Sequence, residues 1–308
     1  MIAKLLLYKI LQLFLMMVIG FVLAKFKVIK NEENGILSKI SLYLLMPSAI
    51  INAFDFERTS KKTEGLLLAF IAAFVIHIAF LILDIGYSKL SKISPVSRAS
   101  VMYSNAGNLI IPIVTFILGE EWVVYSTAFL SVQLVFLWTH GIRMFSPDTK
   151  INIKKIMFNP NIIAIALGLI LLFANVRLPV FVKEVTSSFS GMLGPVAMLT
   201  AGILATKIDF KKALKNKSMY MISFIRTVVY PTITFLIVKL LSFISVENGK
   251  QILLISFLAG ITPVASTVMQ FAQIKRSDTD LAVQINIFST VLSVVTMPLW
   301  IALYSNLV

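Results

Sequence analysis

Apolar segments of about 20 residues recur along the whole chain and are separated by short polar stretches. Segments of this length and composition predict membrane-spanning helices. The pattern predicts ten spans, at residues 5–24, 36–54, 65–89, 96–118, 121–141, 161–174, 190–206, 218–241, 250–272 and 279–307. The predicted fold class is therefore an all-α polytopic membrane protein.

The two halves of the chain resemble each other. Residues 1–141 hold five predicted spans, residues 142–160 form a basic loop, and residues 161–308 hold five more. "LYLLMPSAI" in span two pairs with "GMLGPVAML" in span seven, and spans four and nine are both interrupted by polar residues and proline. An odd number of spans inverts the second copy, so we predict two inverted repeats, as found in many transporters.

Charge indicates the orientation of the chain. Only 14% of the 308 residues are charged and 58% are hydrophobic, yet the net charge is +14. Most Lys and Arg lie in loops: alternate loops hold 17 of them and the opposite side holds 7. The positive-inside rule then predicts a cell-membrane protein with both termini outside, and this distribution argues against a nucleic-acid partner.

The interruptions in spans four and nine, "SNAGNLIIP" and "ITPVAST", are the candidate binding site. A proline inside a helix removes a hydrogen bond, and in lipid the freed groups need partners in protein or in a wet cavity. Proline also favours the first position of a helix. We therefore predict that second half-helices begin near Pro112 and Pro263, with Thr262 as an N-cap, and that their positive ends converge on an anion.

Side chains beside these prolines suit a carboxylate ligand. Asn105 and Asn108 can hydrogen-bond to it, and Gly107 permits an unusual backbone and a close approach of the ligand. Ser266 and Thr262 add hydroxyl groups. The alternative is that both prolines are tolerated kinks, since proline and glycine are common in membrane helices.

Arg226 is the charge placed deepest in a predicted span. A cation near the bilayer centre costs at least about 2.5–3.5 kcal/mol, which makes it a candidate binding residue for an anion. The alternative is that it binds backbone carbonyls opened by nearby Pro231.

No Asp or Glu is predicted at the depth of Arg226, so a coupling ion, H⁺ or Na⁺, would need neutral ligands. Candidate residues that could bind or support such an ion are Ser104, Gln133, Thr267, Gln270 and Asn286. The chain has no cysteine, no phosphate-binding loop and no metal motif. The sequence therefore predicts no cofactor and no metal site.

Several motifs resemble the auxin efflux carrier family, which contains plant PIN carriers and bacterial malonate or malate permeases. They are "SNAGNLIIP", "LMPSAI", "FNPNIIAIALGLI", "ITPVASTV" and "STVLSVVTMPLW", and the likeness covers nearly the whole chain. The matched positions of the site are Asn105, Asn108, Pro112 and Pro263.

The resemblance implies a secondary active transporter of a small organic anion. It implies a bile acid/sodium symporter-like fold, with a scaffold of spans 1, 2, 6 and 7 and a transport domain of spans 3–5 and 8–10. Substrate held at the crossing of spans four and nine, elevator-like movement and a homodimer formed through the scaffold are further implications.

Two alternatives to a carrier are an intramembrane enzyme and an anion channel. An intramembrane hydrolase or lipid transferase would need convergent catalytic groups, but the two histidines, His77 and His140, are far apart in the sequence. An anion channel could also contain broken spans. The isolated histidines and the absence of acidic residues in the middle of the spans predict no enzymatic activity, and the inverted repeat favours a carrier over a channel.

Overall fold

Helices make up nearly all of the chain that the structure describes. The computed structural model describes residues 2–30, 33–56, 59–90, 93–146, 154 and 157–307. Within these residues, the β-structure is limited to one isolated antiparallel bridge between Ser104 and Val264. The prediction of an all-helical chain is confirmed.

Twelve helices of eight residues or more, numbered here in chain order, define the architecture of the described residues. They are α1 (Ile2–Lys25), α2 (Asn34–Ala53), α3 (Ser60–Leu90), α4 (Pro95–Met102), α5 (Ala106–Ile117), α6 (Glu120–Phe145), α7 (Pro160–Ala174), α8 (Val180–Ala205), α9 (Lys217–Leu241), α10 (Gly249–Ile261), α11 (Ser266–Ile274) and α12 (Thr279–Leu307).

Six of these helices, α2, α3, α6, α8, α9 and α12, are long and apolar enough to cross a membrane. Shorter apolar helices lie in α1, α5, α7 and α10. The chain is therefore a polytopic membrane protein. Helix α8 begins at Val180, ten residues before the predicted start at 190. Lys183 and Glu184 lower the hydropathy of its first turns without preventing the helix.

The regular helical pattern is interrupted in two ways. Residues 103–105 separate α4 from α5, and residues 262–265 separate α10 from α11. In addition, α2, α6 and α9 each contain a π-helical turn, at Ser41–Leu45, Leu137–Gly141 and Ile225–Val229 respectively. Such turns often mark functional positions because the extra residue changes which side chains face inward.

Helices α1, α2, α7 and α8 pack together on one side of the bundle. Gly20 of α1 and Gly202 of α8 allow the closest approach: a Cβ on Gly202 would collide with the backbone of Met17, and a Cβ on Gly20 with that of Leu199. Small residues let membrane helices gain van der Waals contact in this way. Among the other helices, α3 contacts α6 and α10, and α12 contacts α9, while α12 also packs against α1 and α5 packs against α1 and α8.

An ion-pair cluster joins the end of α2 to the segment before α8. The buried Asp55 carboxylate contacts Arg177 Nε at 2.8 Å and Lys183 Nζ at 2.9 Å, and it accepts the Leu178 N–H at 3.0 Å. Burial alone would raise the pKa of Asp55, but these hydrogen bonds outweigh it and hold the pKa well below its usual range. The cluster thus ties the α2 and α7–α8 segments together.

The close approach of α1 and α8 generates a prediction about stability. Gly202→Ala should lower the thermal unfolding temperature of the purified protein, because the new methyl group meets backbone that cannot rotate away. Gly191→Ala on the same helix is the matched control, since a Cβ there meets nothing within 4 Å. Replacing a helical glycine by alanine normally stabilises by about 0.5–1 kcal/mol. Equal shifts for the two variants would contradict the packing.

Candidate functional site

The two helix breaks cross and hydrogen-bond to each other. The Asn105 N–H donates to the Pro263 carbonyl at 2.7 Å, and the Ala265 N–H donates to the Tyr103 carbonyl at 3.0 Å. These reciprocal bonds join positions about 160 residues apart in the chain. Four backbone groups freed by the breaks therefore find partners within the protein, as the hydrocarbon environment requires.

Ser104 and Val264, the bridged pair, turn their own backbone groups away from each other, as expected for a non-hydrogen-bonded antiparallel pair. Gln133 of α6 hydrogen-bonds to the Ser104 backbone. Its Oε1 accepts the Ser104 N–H at 3.3 Å, and its Nε2 donates to the Ser104 carbonyl at 2.9 Å. On the Val264 side, Asn286 Nδ2 donates to the carbonyl at 2.7 Å and Ser289 Oγ accepts the N–H at 3.2 Å. Gln133 and Asn286 thus hold the crossing in place.

The helices that follow the breaks begin beside each other. Asn105 immediately precedes α5 and Ser266 begins α11. Asn108 Nδ2 connects them, donating to Asn105 Oδ1 at 3.1 Å and to Ser266 Oγ at 2.7 Å. The first N–H groups of a helix have no partner within that helix and carry partial positive charge. Two such ends therefore lie next to a shared set of amide and hydroxyl groups.

A cavity opens at these two helix starts. Its wider part has a volume of about 480 Å³ and its inner part, against the crossing, about 110 Å³. Cavities of a few hundred Å³ suit small-molecule ligands. Residues that line both parts are Leu42, Tyr43, Met46, Asn108, Ser266, Thr267 and Gln270.

The mouth of this cavity carries positive charge. Lys39 of α2 and Lys207, just after α8, line the wider part. Neither was predicted as a site residue, and neither were Tyr43 and Met46. Their sequence signal is weak, because a basic residue near a span end is common in any membrane protein.

A second cavity of about 870 Å³ lies at the other end of α5. Its lining includes Pro112 and Thr115 of α5, together with Asp55, Arg177 and Lys183. Helix α5 thus runs between the two cavities, with Asn108 facing one and Pro112 facing the other.

Two predicted details of the breaks are wrong. Pro112 lies inside α5 and does not begin a half-helix, since the chain is already broken at residues 103–105. Its missing N–H merely leaves the Asn108 carbonyl without the usual helical partner. Pro263 does lie in a break, and α11 begins three residues later, at Ser266, close to the predicted start. Thr262 ends α10 and does not cap α11: its hydroxyl donates back to the Ala259 carbonyl at 3.0 Å.

Gly107 also differs from its prediction. It lies within α5, and it is absent from the residues with positive φ. A Cβ at this position would lie 2.7 Å from Met46 Cε. Met46 Cε is the end of a flexible side chain that can move aside, so neither the backbone nor this contact requires glycine. Gly107 lines the inner part of the cavity, and the close approach of a ligand there stays a prediction.

Arg226 is fully buried and bonds to backbone carbonyls. Its Nη2 donates to Gly260 O at 2.6 Å and to Thr262 O at 2.8 Å, its Nε donates to Thr262 O at 3.1 Å, and its Nη1 donates to Val101 O at 3.2 Å. These carbonyls belong to the last turns of α4 and α10 and to the residue after α10. The expected contact with an anion is therefore corrected: Arg226 does not line either part of the cavity.

The position of Arg226 has an electrostatic reason. Each helix C-terminus carries about half a negative charge, so two of them together nearly match one guanidinium. Arg226 does bind backbone carbonyls, as the alternative predicts. These carbonyls come from α4, from α10 and from the residue after α10, and not from the turn near Pro231.

A comparison with protein families shows the family to which the chain belongs. The model of a family described as membrane transport protein matches twice, over residues 5–152 and again over 148–301. The chain belongs to the membrane transport protein family. The predicted resemblance is thereby confirmed, and so is transport as the general function. No curated protein matches the chain.

Arg226 of this membrane transport protein is expected to be required for folding. Arg226→Met would leave several buried carbonyls without a donor, each costing about 1–3 kcal/mol. We expect a markedly lower yield of folded protein and a lower unfolding temperature, and a smaller loss for Arg226→Lys, which keeps the charge but fewer donors. Size-exclusion chromatography and thermal unfolding measure both. A normally folded Arg226→Met variant that fails only in transport would instead favour a role in binding the anion.

Proposed function

We propose that this membrane transport protein is a secondary active transporter of a small organic anion, which binds where the broken helices cross. The observation that carries this proposal is the convergence of the α5 and α11 N-termini on one cavity, with Asn108 and Ser266 between them. Helix N-termini attract anions, and transporters use them in this way at the membrane centre.

Hydrogen-bond accounting indicates how a carboxylate would bind. Both hydrogens of the Asn108 amide are used, by Asn105 and by Ser266. Because Ser266 Oγ accepts a bond, its own hydrogen remains available to a ligand oxygen. Thr267 and Gln270 add donors on the same wall, and Lys39 and Lys207 would attract the anion to the mouth of the cavity.

The proposed topology has ten spans in two inverted repeats. Support comes from the double family match and from the similar construction of the two breaks, each held by polar side chains of α6 or α12. In this topology α4–α5 and α10–α11 each form one broken span. Both termini would lie outside the cell membrane and the 480 Å³ cavity would open to the cytoplasm.

We further propose an elevator-like movement. The packed group of α1, α2, α7 and α8 would be the scaffold, and α3–α6 with α9–α12 the moving part. The two cavities at opposite ends of α5 are consistent with access from either side. Exposed apolar residues on α1 and α7, such as Leu15 and Ile170, offer a surface for a homodimer in the bilayer. The coupling ion would be H⁺ or Na⁺.

Substitutions at the crossing test the proposed binding site. Ser266→Ala should reduce carboxylate uptake by about tenfold or more, because it removes a hydrogen bond to a charged ligand that contributes about 1.5–3 kcal/mol. Asn108→Ala should also reduce uptake, because the Ser266 hydroxyl loses the donor that orients it. Asn306→Ala, an exposed position near the end of α12, is the matched control. Uptake into proteoliposomes at equal reconstituted protein is the measurement. Wild-type rates in both site variants would place the site elsewhere.

The substrate class is tested by a panel of labelled carboxylates. Malonate, malate, benzoate and indole acetate should be offered to proteoliposomes under imposed H⁺, Na⁺ and voltage gradients in turn. We expect saturable uptake of at least one acid, and competition by its close analogues. Equal permeation of chloride without saturation would favour an anion channel.

A further inference from the structure

A cluster of titratable groups lies beside the crossing and outside the proposed anion site. The Asp84 carboxylate of α3 is fully buried. It accepts two hydrogen bonds from Arg98 of α4, from Nε at 2.9 Å and from Nη2 at 2.6 Å. His140 Nε2 lies 3.3 Å from its Oδ2. The cluster therefore joins α3, α4 and α6.

The cluster extends to the helix break through Tyr103. The Tyr103 hydroxyl lies 3.2 Å from His140 Nδ1 and 3.0 Å from the Phe136 carbonyl. Tyr103 is also the residue whose backbone carbonyl accepts the Ala265 N–H at the crossing. A continuous chain of hydrogen bonds thus runs from Asp84 through His140 to the crossing.

Counting hydrogens allows two states of this chain. A hydroxyl group has one hydrogen, so Tyr103 can donate either to His140 Nδ1 or to the Phe136 carbonyl. When it donates to Nδ1, His140 is neutral and its Nε2–H faces Asp84. When it donates to Phe136, Nδ1 must itself carry a hydrogen, and His140 is an imidazolium. Only the protonated state satisfies all the observed contacts at once.

The location suits exchange of a proton with solvent. The side chains of His140 and Arg98 are each 23% exposed, whereas Asp84 is not exposed. His140 lies five residues, or about 7.5 Å, from the end of α6 at Phe145. The titratable and charged groups that face His140 are Asp84 from α3, Arg98 from α4 and Tyr103 from the break.

We propose that Asp84, His140 and Tyr103 form a proton-binding site that couples anion transport to one proton. On protonation, Nδ1 of His140 gains the hydrogen, and the Tyr103 hydroxyl turns from Nδ1 to the Phe136 carbonyl. The net charge of Asp84, Arg98 and His140 rises from zero to +1. Leu137 and Trp138, which are three and two residues before His140 on the same π-helical turn, line the inner cavity. The added charge therefore favours an anion there.

Linkage makes the effect reciprocal. If a bound proton raises the affinity for the anion, a bound anion raises the affinity for the proton by the same factor. The proton-binding step stands on the cluster alone, whereas its coupling to transport rests on the proposed function. Histidine suits the task because its charge ordinarily changes in the physiological pH range.

Nitrogen NMR tests proton binding without any transported substrate. The chain has two histidines, so isotope-labelled histidine gives two sets of ring signals, and His140→Gln identifies one of them. The spectra are recorded over a wide pH range, and we expect the His140 Nδ1 hydrogen to be lost as the pH rises while Nε2 keeps its own. His77 is the internal control, since it is buried against Phe129 and its Nδ1 bonds to Ala73 O at 2.7 Å. An unchanged His140 spectrum over this range would overturn the proposal.

A second variant tests whether Tyr103 belongs to the site. Tyr103→Phe removes the hydroxyl that partners Nδ1, so the pH of the His140 transition should move. A transition at the wild-type pH would show that His140 acts with Asp84 alone and would remove the link to the crossing.

Transport measurements test the coupling. Radiolabelled malonate is the first probe, followed by the other acids of the panel. Solute counterflow at equal pH needs no net proton movement, whereas accumulation driven by a pH gradient does. One coupled proton sustains about tenfold accumulation per pH unit, because a pH unit equals about 1.36 kcal/mol. We expect this accumulation in wild type, and a roughly tenfold fall in the ratio of accumulation to counterflow for His140→Gln.

The outcomes separate the two proposals. Gradient-driven accumulation by His140→Gln equal to that of wild type overturns the coupling. Absence of counterflow for every acid in wild type overturns the proposed function. The NMR result for the proton site does not depend on that outcome, because it needs no transported substrate.

Discussion

The structure depends on satisfying the backbone groups of two helix breaks inside a membrane protein. Unpaired N–H and C=O groups cost several kcal/mol each in hydrocarbon. Here the two breaks pair with each other through Asn105 and Ala265, and their outward groups pair with Gln133, Asn286 and Ser289. Because these partners come from α6 and α12, the crossing and the helices around it form one hydrogen-bonded unit.

The four helix ends at the crossing differ in what lies next to them, and the proposed site depends on this difference. The C-terminal ends of α4 and α10 converge on the Arg226 guanidinium, which satisfies their carbonyls. The N-terminal ends of α5 and α11 instead face a cavity with Asn108 and Ser266. The negative ends are thus neutralised within the protein, whereas the positive ends face the cavity in which we propose that the anion binds. The chain belongs to the membrane transport protein family, so an arrangement of this kind is consistent with its general function.

Tyr103 connects the crossing with the charged cluster behind it. Its backbone belongs to the bridge between the breaks, and its hydroxyl belongs to the chain from Asp84 through His140. The π-helical turn of α6 contributes to both, since it begins directly after Phe136, whose carbonyl accepts the Tyr103 hydroxyl, and it carries His140. In the proposed proton site, a change in protonation would therefore act on a residue that also takes part in the crossing of the two breaks.

The sequence by itself determined the helical membrane class, the family, and the two interrupted segments around Asn105 and Pro263, because hydropathy and helix-breaking residues act locally. It also indicated Asn108, Ser266, Thr267 and Gln270, polar residues that line the cavity. Only the tertiary structure decided that the first break lies at residues 103–105 and not at Pro112, that Arg226 binds carbonyls and that Asp84 meets Arg98 and His140. These outcomes depend on partners from distant segments: Arg226 and Val101, for example, are 125 residues apart. No local pattern encodes which buried charge will face which helix end, since that is set by how the helices pack.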